Sequence, residues 1–363
     1  MNTTSTLSFR SSAYYVKELL DRGMPLMVFE KFGQAKPLPA KNTKTISFRR
    51  YMLKNNGYTS GAFQPGTYFG GPLMLSTANA RVPGAESNQD GTRLTEGVTP
   101  KAVDLMTQDI TATLIQYGSV TDISDVVLDT MDIDNPMQEA TTCLAEQAAN
   151  VLEDARFEVL KGCSNKYYTN GTKVEEVNTK LTYTLCAKVL RGLKRQLARP
   201  ITAVTKSSTN YGTEGIAPAY VAVVHPDLEY DIRAMNGFVG IESYAGTPAF
   251  DGEIGKVGEI RFVSSTKCTP LTTLGATNGT NVLEDSSTKK AIVYPVLFFG
   301  KDAYGLVPFK GMNAAELLVS NPTPSDSDPL AQRGHVGWKA MSTTVILNDA
   351  WMAIAYTACS SIV

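Results

Sequence analysis

NPMQEATTCLAEQAANVLEDARFEVLKG, residues 135–162, is the stretch whose period decides the fold. Asn135 is a good N-cap, because its short side chain can take a free backbone N–H. Pro136 suits the first helical position, and Gln138 follows the cap by three residues as in a capping box. Met137, Ala140, Leu144, Ala148, Val151, Ala155 and Val159 recur at spacings of three and four, which makes one apolar stripe. Gly162 ends it. The spacing predicts a helix over 136–161, about 39 Å long, with Glu139, Glu146, Glu153 and Glu158 off the stripe. That length suggests a structural spine.

Upstream of the helix, Asp122, Asp125, Asp129, Asp132 and Asp134 crowd a short stretch. Asp122 or Ser124 is placed to cap a short helix through Val126-Val127-Leu128. Thr45–Tyr51 reads as a strand, with Ile46 and Phe48 on one face and Ser47 and Arg49 on the other. Ile110–Val120 reads as a second strand. The long Gly/Pro/Asn/Ser-rich stretch between them is too long for an ordinary loop and predicts a projecting hairpin. Residues 1–44 read as an extended arm with one short helix near Ser12–Leu20, stopped by Gly23 and Pro25. Such an arm is expected to have little to pack on within its own chain, so deleting residues 1–30 should leave a foldable core.

Downstream, a helix is expected over Thr184–Arg199, with Leu185, Val189, Leu193 and Leu197 buried and Lys188, Arg191, Lys194 and Arg195 forming a basic face. A buried strand at Ala219–His225 and a short helix after Pro226 follow. Further strands are expected at Glu259–Ser264, Lys290–Phe299, Thr343–Leu347 and Trp351–Thr357, with Asn348-Asp349 as a tight turn. Asn321–Pro329 is a loop by composition. The mixture makes the chain α+β.

The chain has 363 residues, 43% of them hydrophobic, enough to bury a sizeable core. Its formal net charge is −1, so it is not a polycation that coats nucleic acid by total charge alone. The charge is uneven: residues 1–54 carry ten bases against three acids, and residues 55–160 carry fifteen acids against four bases. A basic arm and an acidic body can attract each other within or between copies. No secretion signal or membrane-spanning run is read. The five cysteines are odd in number and widely spaced, which fits reduced thiols rather than a disulfide framework or a zinc site.

No catalytic, cofactor or metal constellation emerges. The two histidines, His225 and His335, have no partners nearby in sequence, and a structural role is expected for each. No phosphate-binding loop or nucleophile elbow is present. Gly252, Gly255 and Gly258 lead into a strand and not a helix. The Asp122–Asp134 carboxylates could hold a divalent cation, although caps and turns account for them better. Arg49-Arg50 and the basic helix face could meet phosphate or the acidic surface of a neighbour.

Phe32-Gly33-Gln34 followed by Lys36-Pro37-Leu38-Pro39, then Lys44–Arg50, Leu94–Pro100, Asp109–Thr113 with Gln116-Tyr117-Gly118, and Ile123–Val126 occur in order. Glu146-Gln147-Ala148, Val223–Asp227, Gly255–Gly258, Phe299–Gly305, Asp328-Pro329-Leu330, Gly337–Ala340 and Ile346–Met352 follow. This collinear set covers nearly the whole chain. It resembles the major capsid protein family of the N-four-like podoviruses, within the tailed double-stranded DNA phages.

The resemblance implies the Johnson fold (the Hong Kong 97-type capsid fold) and a major head protein that assembles as hexamers and pentamers into an icosahedral shell around double-stranded DNA. It implies an N-terminal arm over 1–44, an extended loop over 45–120 and a peripheral domain over 121–181 with the spine helix 136–161. An axial domain over 182–250 and a return to the peripheral sheet and axial lobe over 251–363 complete it. Location in the virion, with assembly in the bacterial cytoplasm, is implied, as are a portal protein, separate scaffolding and decoration proteins, and non-specific contact with packaged DNA. No enzyme activity, cofactor or membrane is implied. Inter-subunit contact is expected of Phe9, Tyr14, Tyr15, Arg49, Arg50, Phe63, Tyr68 and Phe69. The alternatives are an encapsulin-type shell with protein cargo and a metal-dependent cytoplasmic enzyme.

Overall fold

The structure, a computed structural model, describes residues 26–38, 44–53, 96–97, 105–130, 136–196, 198–205, 213–243, 250, 252–277, 279, 281–309, 315–320, 322, 324 and 329–361. Along the chain run β1 (Gln34–Ala35), β2 (Thr45–Leu53), β3 (Leu105–Thr113), β4 (Ile115–Ser124), α1 (Asp125–Thr130) and α2 (Pro136–Lys161). Then come β5 (Lys166–Tyr168), α3 (Tyr183–Arg195), β6 (Ile201–Thr205), β7 (Thr213–Val224), α4 (Glu229–Arg233), β8 (Phe238–Gly240), β9 (Glu253–Val257) and β10 (Ile260–Ser264). The chain closes with β11 (Val293–Phe299), β12 (Tyr304–Leu306), β13 (Ala315–Ser320), β14 (Arg333–Ser342), β15 (Thr344–Ile346) and β16 (Met352–Ala358).

The largest sheet has the order β5-β16-β11-β7-β10-β9-β8, with β6 paired to β7. VYPVLFF in β11 and MAIAYTA in β16 are buried at every position. Continuous apolar runs of β-branched and aromatic residues behave this way when both faces of a sheet are covered. The cover includes Leu185, Val189 and Leu193 of α3, Phe157 and Leu160 of α2, and Phe29 and Phe32 of the N-terminal segment. Pro295 is tolerated inside β11 because the β7 ladder reaches only Leu297–Phe299 and leaves that stretch beyond it.

A second core lies between the first half of α2 and the sheet β13-β14-β4. Met137, Leu144, Ala145, Ala148 and Leu152 meet Leu317, Val336, Trp338 and Ala340 there, and the Trp338 indole N–H donates to Gln147 Oε1 at 3.2 Å. A third, smaller core holds Ile46 and Phe48 of β2 against Val307 and Leu347.

Helix α2 occupies the expected span, but its buried face differs from the expected stripe. Val151 and Val159 are exposed, whereas Leu152, Glu153, Arg156, Phe157 and Leu160 are buried. The face turns by about one residue's step, ~100°, along the helix. The cause is that the first half covers one sheet and the second half enters the main core.

The expected strand Ile110–Val120 is two strands in two sheets. The break is at Leu114, whose N–H donates to Lys44 O at 2.8 Å and whose side chain packs on the third core. Helix α3 ends at Arg195, short of Arg199. The Gln196 N–H is shared between Gly192 O and Leu193 O, and the Ala198 N–H reaches back to Leu193 O, which closes the turn ahead of Pro200. Leu197 lies outside the described residues. The short helix after Pro226 and the late strands stand within a few residues of expectation. Asn348 caps a 3-10 turn at Asp349–Trp351.

The N-terminal segment departs most from expectation. Met27, Phe29 and Phe32 are core residues, and β1 pairs in parallel with β12. The reading that residues up to 44 have little to pack on therefore fails for 27–35, and a cut at residue 30 would pass through the core.

Candidate assembly surfaces

The segment 28–32 is held to α2 by a buried ionic clasp. Arg156 donates from Nη1 to Glu153 Oε1 at 2.6 Å and from Nη2 to Glu30 Oε2 at 2.7 Å. The Val28 and Phe29 N–H groups donate to Glu153 Oε2 at 3.1 and 2.9 Å, and the Phe309 N–H donates to Glu30 Oε1 at 3.0 Å. The Tyr304 hydroxyl donates to Phe29 O at 2.6 Å. Burial pushes the Glu153 carboxyl above its ordinary value, while Arg156 and the Phe29 N–H pull the other way. Burial works against the Arg156 charge too, but Glu30 and Glu153 outweigh it and hold the guanidinium above its ordinary value. Sequence reading placed Glu153 off the buried stripe and missed the clasp. The available signal was Arg156, the one base in residues 139–160 of an otherwise acidic helix.

The second surface is the ribbon β2–β3, in register from Thr45↔Thr113 to Leu53↔Leu105. Its root is fixed: Phe48 packs over Gly305, where an added Cβ would lie 2.6 Å from the ring. The Lys36 ammonium donates to Ser47 O and stands 5.5 Å from the Phe48 ring centroid. Arg49 meets Asp109 directly across the ribbon in a bidentate pair, Nε–Oδ1 2.7 Å and Nη2–Oδ2 2.8 Å. The Arg49 hydrogen bond holds the Asp109 carboxyl below its ordinary value. Arg50 stands opposite Gln108 in the backbone register. Phe9, Tyr14, Tyr15, Phe63, Tyr68 and Phe69 lie outside the described residues.

The third surface is the outer face of β4-β14-β13. Alternation turns Val336, Trp338 and Ala340 inward to α2 and leaves His335, Gly337, Lys339 and Met341 on the other side. Val120 and Leu318 both stand opposite Gly337, and they are 63% and 52% exposed. Because Gly337 has no side chain, the row Val120–Gly337–Leu318 forms the floor of a shallow groove of about 680 Å³. Lys339–Glu316 at 2.9 Å and His335–Asp122 at 2.8 Å flank it. An apolar strip rimmed by charge has the composition of a protein–protein contact.

The fold brings Asp122 to His335 and Tyr294 to His225, while Asp227 is a local partner of His225. The His225 ring lies tilted against Tyr294, with centroids 5.3 Å apart, and accepts the Asp227 N–H at Nδ1, while the Tyr294 hydroxyl donates to Asp227 Oδ2 at 2.6 Å. These contacts tie the end of β7 to β11. Burial pushes the Cys186 and Cys359 thiols up to about 12 and those of Cys163 and Cys268 higher still, so all four are thiols at neutral pH. Among the described residues no three metal-ligating side chains meet, and no helix is long and apolar enough to cross a membrane. The carboxylates of Asp122 and Asp125 serve His335 and the first turn of α1, whose Val127 N–H is taken by Ser124.

Comparison with solved structures finds capsids. The capsid of Ralstonia phage GP4 superposes with a TM-score of 0.59 at 13% identity, over 88% of this chain and 85% of that one. The head of Helicobacter pylori bacteriophage KHP40 gives 0.56 at 9% identity, over 93% and 90%. Cyanophage Pam1 gives 0.53 at 12% identity, over 94% and 93%. At such identities the likeness is one of fold, and the fold is the Hong Kong 97-type capsid fold. Comparison with curated proteins returns no match. The family model described as phage capsid protein matches residues 107–356, well over half of the chain, and takes in α2, the groove sheet and the main sheet. The chain belongs to the phage capsid protein family and is a structural subunit of the phage head.

Proposed function

We propose that copies of this chain, as hexamers and pentamers, close an icosahedral shell around double-stranded DNA, and that the ribbon β2–β3 and the Val120–Leu318 groove are its inter-subunit contacts. The ribbon supports this reading most directly. Its root is buried and its far end, at Leu53 and Leu105, points the chain into a long insertion. A two-stranded ribbon alone is marginally stable in water and gains most from a surface to lie on. Residues 1–25, with Phe9, Tyr14 and Tyr15, and the insertion, with Phe63, Tyr68 and Phe69, are assigned to neighbouring subunits. Arg49 braces the ribbon through Asp109, and Arg50 is assigned to a neighbour.

The role is mechanical, with no reaction assigned. A portal protein at one vertex and separate scaffolding and decoration proteins are the expected partners. Electron microscopy of the purified particle, with nuclease protection on the same sample, tests this. Closed shells that protect long double-stranded DNA are expected. Closed shells filled with protein and no DNA would make it an encapsulin, and a small oligomer under assembly conditions would contradict the shell altogether.

A further inference from the structure

Residues 177–213 carry seven bases, Lys180, Lys188, Arg191, Lys194, Arg195, Arg199 and Lys206, and no acid. Because the whole chain is at −1, this stretch is a local cation in a body that is otherwise net acidic. Helix α3 organises it. Lys188, Arg191 and Arg195 recur at spacings of three and four opposite the buried Leu185, Val189 and Leu193, so they form one exposed row. Lys194 is paired with Glu259 at 2.6 Å, but no ion-pair partner stands against Lys188, Arg191 or Arg195 among the described residues.

Tyr167 of β5 sits beside the row. The Lys188 ammonium is 6.0 Å from its ring centroid, and Arg191 and Arg195 are near enough for their charge to act on its hydroxyl. Gly192 admits it, since a side chain there would collide with the Tyr167 hydroxyl. Favourable interaction with the helix dipole accounts for bases in the last turn only, and Lys188 lies outside it.

From this we infer that the Lys188–Arg191–Arg195 row is a binding surface for the phosphate backbone of nucleic acid, held without sequence preference. The inference rests on the shell reading, in which the chain encloses DNA, and assigns that contact to named residues. The row rises about 10 Å along the helix, and one DNA strand presents a phosphate about every 3.4 Å of axis, so three cations meet roughly three phosphates. No base-reading element accompanies it, and the affinity is expected to come from counterion release.

The test uses the full chain as unassembled subunits, with a random-sequence DNA duplex as probe and affinity measured against salt. Each phosphate contact contributes about 0.9 to the slope of log K on log salt. The triple variant K188Q/R191Q/R195Q should lower that slope by between about 2 and 3, R191Q alone by about 0.9, and R191K/R195K by almost nothing. A control, K173Q/K289Q/K301Q, should leave it nearly unchanged.

An unchanged slope in the triple variant, or an equal loss in the control, overturns the inference. So does a triple variant that keeps the slope but no longer forms shells, which would place an acidic neighbour on the row. Wild-type protein that binds DNA through this row but forms no shells would strike the shell reading instead.

Discussion

Arg156 stands between two carboxylates at 1% exposure, so its removal leaves Glu30 and Glu153 buried side by side without their cation. Arg156→Leu is expected to cost about 3–5 kcal/mol, read as a fall in the urea midpoint of the unassembled subunit. Arg49→Ala breaks an exposed pair instead and should leave the urea midpoint nearly unchanged. The two variants together distinguish a structural clasp from a surface ion pair. Glycine matters where the ribbon is rooted: Gly305→Ala drives a methyl into the Phe48 ring and should destabilise the root by about 1–3 kcal/mol. A pH effect is expected at Asp285, which accepts from Ser287 and Thr288 and lies at about 2, below the ordinary carboxylate range. Its folded value is depressed, so the turn at 285–290 is fully stabilised above the ordinary aspartate range and loses that support as pH falls through about 2. Amide exchange of that turn against pH reads the loss.

Helix α2 and the sheet β4-β14-β13 show how burial and exposure divide one element between stability and assembly. Trp338→Ala, on the inward face, should cost about 3–5 kcal/mol in subunit stability. Val120→Asp and Leu318→Asp, on the outward face, should change stability by under about 0.5 kcal/mol yet reduce shell yield in microscopy. The extent of α2 was legible because Pro136, Gly162 and the apolar period between them are local, and so were the ribbon and the fully apolar strands β11 and β16; the expected cap, Asn135, lies outside the described residues. The rotation of the α2 face was not legible, because it depends on which of two cores each half meets. Strands β13 and β14 were missed for a related reason. Arg333-Gly334-His335 has little intrinsic strand preference, and the sheet is made by pairing with β4 and by packing on α2. The clasp was hidden because Glu30 and Arg156 are far apart in sequence, and a charged residue is ordinarily read as solvated. The His335–Asp122 contact was hidden in the same way, since the two meet only once β4 and β14 pair.

For the whole molecule, the N-terminal boundary follows from burial. Removing residues 1–25 should leave the subunit folded, because Met27, Phe29, Glu30 and Phe32 all remain. Removing 1–32 should abolish folding, as judged by the loss of a cooperative unfolding transition, since it empties the core beside Phe157 and takes Glu30 from the buried clasp. The shorter deletion should also prevent closed shells if the arm lies on neighbours, and normal shells from it would remove the arm from the account. The chain's uneven charge fits the same picture of a body that carries its cations in particular places. The central claim is that the ribbon and the Val120–Leu318 face are covered by other copies in a closed head. It is tested most directly by a high-resolution cryo-electron microscopy map of particles assembled from the full chain. The predicted result is a closed icosahedral shell in which residues 45–53 and 105–113 lie across a neighbouring subunit and the Val120–Gly337–Leu318 groove is filled by another copy. A closed shell with both surfaces facing solvent, or no shell at all, would contradict the account.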